Sequence, residues 1–130
     1  MRYSARSALE NIFCQTRVLL KKRPPIYTRY YDLLGWILDR TAKFPRNMRF
    51  GLVQKIDNIA LSLLEHLIEA VYRKDREVLY QTVNLEIEKL RIFLRLSHDR
   101  GVLAARQLRY AVNELDEIGR MWHGWVRSKR

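Results

Sequence analysis

Three histidines, fourteen carboxylates and a single cysteine are the residues of this chain that could support metal, acid–base or nucleophilic chemistry. Di-metal sites in helical bundles take a Glu-x-x-His pair from each of two helices and two further inward glutamates. Residues three apart share a helix face and can reach one ion together. Three positions before His66, His98 and His123 stand Leu63, Arg95 and Arg120, so the motif is absent. In two of the three cases a cation occupies the place where a ligand oxygen would be needed. Glu65 and His66 are adjacent and diverge by about 100° on a helix. Cys14 has no histidine beside it to take its proton and reads as a small apolar residue on a helix face. Alone, it forms no intrachain disulfide and is compatible with a reducing, cytoplasmic setting. His98-Asp99 falls in a stretch read as a loop, with Asp99 capping the helix that follows. The five glycines are isolated, which excludes a Gly-rich phosphate loop. These residues therefore predict no catalytic site, no cofactor and no metal; the chain reads as a non-enzyme.

What remains is positive charge. Twenty-five Lys+Arg against fourteen Asp+Glu give a net +11 in 130 residues. A solvated basic surface is the bland explanation, but self-repulsion of this size favours a polyanionic partner. Nucleic acid, RNA first and DNA or cDNA second, suits it better than membrane. No stretch of about eighteen uncharged apolar residues could span a bilayer, and no polybasic run flanks an apolar segment. No groove-reading motif or stacking platform is visible, so no sequence preference is expected. Arg91 and Arg95, four apart in Leu90-Arg91-Ile92-Phe93-Leu94-Arg95, share a face and repel each other slightly, which an anion would relieve. As a solvated helix edge they would only snorkel. Arg46 and Arg49 crowd the start of a helix, the end of the dipole that disfavours cations unless a phosphate or acid lies near.

Helices must position these residues. Hydrophobic residues make up 48% of the chain and charged residues 30%, with only five Gly and three Pro. That composition favours one domain built from a few long elements. Residues 1–25 form a basic extension, possible as a short amphipathic helix through Leu9, Ile12, Phe13 and Leu20, and Pro24-Pro25 ends it. Residues 26–130 read as the bundle. Its first helix, 26–42, carries Tyr27, Tyr30, Tyr31, Leu34, Ile37, Leu38 and Thr41 at spacings of three and four. The second, 46–73, runs through Phe50, Val53, Ile56, Ala60, Leu63, Leu67 and Ala70. Asp75 is an N-cap for a third helix to Leu96, and 97–101 breaks the pattern. The fourth, 102–127, carries Leu108, Val112, Leu115, Ile118, Trp122 and Trp125, with Gly119 and Gly124 read as permitting close helix approach. Short loops predict an all-α, up-down-up-down four-helix bundle. Tyr72, Tyr80, Leu85, Ile92 and Leu96 fall off the core stripes and are candidates for a subunit interface, or scattered surface hydrophobes.

With these elements in order, the chain resembles the Avd-like four-helix-bundle family. The resemblance rests on Phe44-Pro45-Arg46, Arg49-Phe50, Leu90-Arg91-x-x-Leu94-Arg95, Glu117-Ile118-Gly119-Arg120 and Gly124-Trp125, across about residues 26–127. That family includes the accessory variability determinant proteins of diversity-generating retroelements and bundle proteins encoded in intervening sequences of large-subunit ribosomal RNA genes. The resemblance implies a homopentameric, non-catalytic bundle that binds the retroelement's reverse transcriptase and RNA to assist mutagenic copying into cDNA. It also points to Arg91 and Arg95 as contacts to the polymerase or RNA; Arg46 and Arg49 stay candidates for the same contacts on their place at the start of the second helix. A ribosomal-RNA-associated RNA-binding bundle and a purely structural oligomer are the alternatives. Residues 1–25 match no part of the family pattern.

Overall fold

The computed structural model of the protein describes residues 8–12 and 25–128, which are helical apart from short connections. Residues 8–12 form one helical turn with Leu9 and Ile12 exposed; Phe13 and Leu20 of the expected amphipathic stripe lie outside the described residues. Four long helices follow: α1 (Pro25–Thr41), α2 (Gln54–Tyr72), α3 (Glu77–Asp99) and α4 (Ala105–Ser128). A 3-10 turn (Arg46–Met48) and a π-turn (Arg49–Val53) lead into α2.

Cross-helix contacts fix the directions. The Tyr27 hydroxyl donates to the Leu67 carbonyl, Tyr30 to the Ala60 carbonyl at 2.6 Å and Thr41 to Asp57 at 2.7 Å, so α1 and α2 run antiparallel. Tyr80 meets His123 and Arg91 meets Asp116, which makes α3 and α4 antiparallel. Trp36 packs on Tyr110 with ring centroids 5.0 Å apart and closes α1 on α4. The result is an up-down-up-down bundle in which the α1–α2 and α3–α4 connections share one end.

The core is a single apolar cluster through all four helices, with Ile37, Leu63, Leu90 and Trp122 among its fully buried members. Phe44 and Leu103 close it at the shared end. On α1, Ile26 and Leu33 join the expected residues, while Tyr31, about 100° round from Tyr30, is exposed. The Tyr30 phenol, buried beside Glu86, is pushed well above its ordinary range by desolvation first and by the carboxylate second. It remains a neutral donor. Burial also raises the Asp57 carboxyl, and the Thr41 hydrogen bond partly offsets that.

Four local expectations are corrected. Ser97-His98-Asp99 is helix, not loop, because the buried Ser97 hydroxyl donates to the Phe93 carbonyl and needs no turn to satisfy it. The stop comes at Gly101, whose φ of +79° favours glycine. Gly101 N–H donates to His98 and Val102 N–H to Ser97, the paired bonds of a Schellman motif. Asp99 pairs with Arg95 and does not cap α4; the Ala104 amide donates instead to the Gln107 side chain. Leu108, Val112 and Trp125 are half-buried while Ala111 and Val126 are buried, a slight rotation of the α4 stripe. Gly119 and Gly124 do not mark close helix packing: a Cβ at Gly119 would meet only the Arg91 guanidinium at 3.9 Å, and one at Gly124 nothing.

Asp75, expected as the N-cap of α3, stands one position before it: the N-cap is Arg76, which makes no side-chain cap bond, and Asp75 accepts the Glu77 amide at 3.2 Å. Among the described residues no helix is long and apolar enough to cross a membrane.

Candidate nucleic-acid interface

The second helix departs most from expectation, and the departure concerns a candidate site. The spacing predicts Phe50 and Val53 as the first members of its core stripe. Phe50 is instead 86% exposed, and the buried stripe begins at Ile56. Each step of three residues rotates only about 300°, so the run Phe50–Val53–Ile56 carries Phe50 about 120° off the core face even in a regular helix. The π-turn, in which the Gln54 amide reaches the Arg49 carbonyl, winds fewer degrees per residue and turns Phe50 further outward.

Arg46 lies in the 3-10 turn and Arg49 opens the π-turn, so the two precede this aromatic by four residues and by one. Both are exposed, and neither has an ionic partner among the described residues. Arg91 and Arg95 sit on α3. Arg91 Nη2 contacts Asp116 of α4 at 2.7 Å and Nη1 contacts Glu88 at 2.9 Å. Arg95 pairs with Asp99 one turn on, at 3.1 Å, and its side chain is 69% exposed. The anion that the repelling pair seemed to need is thus supplied within the fold. No bond joins the two arginine pairs: Arg91 lies on the α3–α4 flank, while Arg95, near the C-terminal end of α3, lies toward the same end as Arg46 and Arg49.

Three further arginines have partners within the fold. Arg29 makes two hydrogen bonds to Glu114, at 2.9 and 3.0 Å, which raise its already high pKa further. Arg120 pairs with Glu117. Arg76 donates to the Ala70 carbonyl at the end of α2 and lies 4.9 Å from the centre of the Trp125 ring.

The unpaired charge collects at the end where the α1–α2 and α3–α4 connections meet. Lys43, Arg46, Arg49 and Lys55 come from the first connection and its borders; Arg100, Arg106 and Arg109 come from the second. None has an ionic partner among the described residues. Sequence reading named two of these and missed the rest, because only the helix directions bring positions 43–55 and 100–109 to one end. The histidines are taken up locally: His66 contacts the nearly buried Glu86 at 2.7 Å, His98 the Leu103 carbonyl and His123 the Tyr80 hydroxyl. Among the described residues no three His, Cys, Asp or Glu side chains are grouped to hold a metal.

Of the off-stripe apolar residues, Tyr80 is not free surface; it is half-buried and stacks on Trp122 with centroids 6.3 Å apart. Leu85, Ile92 and Leu96 are exposed and share one outward face of α3 with Val78.

No curated protein matches this chain. A family model described as bAvd-like does match, over residues 25–129, which takes in all four helices, the basic end and both arginine pairs. With the helical bundle and the order of its motifs, that match settles the kinship: the chain belongs to the bAvd-like family.

Proposed function

We propose that this protein is a non-catalytic accessory factor of a diversity-generating retroelement. In this reading it binds the element's reverse transcriptase and its template RNA and supports mutagenic cDNA synthesis. The observation that carries the reading is the bAvd-like match across the whole bundle. The charge distribution supports the RNA half: acids within the fold satisfy the flank arginines, while the cations of one end are left for phosphates. Arg91 and Arg95 are assigned to the polymerase contact. Arg46 and Arg49 are assigned to RNA, and to the cDNA made from it.

The protein acts in the cytoplasm as a homopentamer, and the outward apolar face of α3 through Val78, Leu85 and Ile92 is the candidate subunit contact. Co-expression with the reverse transcriptase of a diversity-generating retroelement, followed by affinity capture of a tag on this chain, tests the reading. The polymerase is expected to be retained through moderate salt. Retention of ribosomal RNA without any polymerase would favour a ribosomal-RNA-associated bundle instead, and retention of neither would leave a structural oligomer.

A further inference from the structure

We infer that the basic end of the bundle is a single-strand-specific nucleic-acid site in which Phe50 stacks on an unpaired base while Arg46 and Arg49 hold the flanking phosphates. The inference rests on the RNA-binding half of the proposed function and names the form of nucleic acid and the residues that select it.

Three observations converge. First, Phe50 is the most exposed large apolar side chain among the described residues, at 86%. Nearly the whole apolar area of the ring is thus open to cover by a stacked base. Second, the backbone that presents it is a π-turn, a rare and poorly propagating geometry that tends to occur at functional sites. The turn is anchored on both sides: the Met48 amide donates to the Pro45 carbonyl at 2.9 Å, and Asp57 in the first turn of α2 accepts from Thr41. The ring thus stands on a fixed platform. Third, its setting is cationic. Arg46 and Arg49 lie four before and one before it, and Lys43 and Lys55 border the same segment. Arg106 and Arg109 of α4 add charge at the same end. The acids there are Asp39, Asp57 and Asp99, and two of them already serve Thr41 and Arg95.

An exposed aromatic on a segment that carries unpaired arginines is the combination that binds single strands, because every base offers a π-face and every linkage a phosphate. A duplex keeps its bases stacked and offers the ring nothing. The opposite end differs: Arg73 and Lys74 are interspersed with Glu69, Asp75 and Glu77 there.

Fluorescence anisotropy with the purified full-length protein tests this, using a labelled 20-nucleotide mixed-sequence RNA and the same RNA annealed to its complement. Wild type is expected to prefer the single strand. Phe50→Ala is expected to weaken single-strand binding about 5- to 100-fold and duplex binding little, and Phe50→Trp to restore it. Arg46→Ala with Arg49→Ala is expected to weaken both and to flatten the single strand's log–log salt slope by about 1.4. Because Phe50 is exposed, its variants should unfold at the wild-type temperature, which thermal circular dichroism checks.

Equal single-strand affinity of wild type and Phe50→Ala overturns the inference while leaving RNA binding intact. Absence of any wild-type RNA binding overturns the RNA half of the proposed function as well. If Phe50→Ala keeps RNA but loses the reverse transcriptase, the ring is a polymerase contact and the inference fails.

Discussion

Trp122→Ala is expected to destabilise the protein by about 3–5 kcal/mol, the usual range for truncating a fully buried tryptophan. Trp122 is the largest fully buried side chain among the described residues. It stacks on Tyr80 and lies 5.6 Å, centroid to centroid, from Trp125, and its indole N–H donates to the Tyr80 carbonyl at 3.3 Å. Three elements of packing therefore lose their common neighbour at once, and Arg76, which lies over Trp125, loses its backing. Domains of this size carry about 5–15 kcal/mol in total, so the loss is a large share of the whole. At about 4 °C per kcal/mol the melting temperature should fall by roughly 12–20 °C. Trp122→Phe keeps an aromatic ring and gives up a long hydrogen bond, so it should cost less than half as much. A melting shift of only a degree or two for Trp122→Ala would mean that α3 and α4 do not pack around this residue.

The second large effect concerns the polymerase. Arg91→Ala with Arg95→Ala is expected to weaken capture of the reverse transcriptase by about 30-fold or more, the range of an interface arginine that acts as a hot spot. Stability should change little, because surface ion pairs are worth about 0–1 kcal/mol each. The two residues should contribute unequally. Arg91 is held between Glu88 and Asp116 and is only 30% exposed, so a partner must compete with two carboxylates for it. Arg95 has one partner in its own helix and is the more accessible, so Arg95→Ala alone should account for most of the loss. Arg95→Lys should recover only part of it, since lysine cannot present the planar two-pronged donor set. Undiminished capture by the double variant, with wild-type helicity, would remove this flank from the interface.

The parts of the fold that repeat at helical spacing were legible in the sequence. Ile37, Leu63, Leu67, Leu90, Leu115 and Ile118 recur at three and four, and each is buried. The direction of the helices followed from short loops. What escaped reading was set by local backbone geometry or by residues distant in sequence. Phe50 looked like core because steps of three resemble a stripe over short runs, although each slips about 60° from a full turn. Ser97 looked like a loop because serine's competing hydrogen bond is usually made outside helices, whereas here it is made back to Phe93.

The arginine flank shows the same limit at long range. Arg91 and Arg95 were visible as a repelling pair, but Asp116, which neutralises one of them, is 25 positions away on another helix. The basic end was invisible for the same reason, since Arg49 and Arg106 meet at one end only once the chain has folded.

The decisive experiment is synthesis of cDNA by the purified reverse transcriptase on its own template RNA, with and without this protein. Full-length, misincorporation-rich cDNA is expected only when the protein is present, and the Arg91→Ala, Arg95→Ala variant is expected to fail to support it. Equal yield and equal error frequency with and without the protein would rule out an accessory role in mutagenic copying.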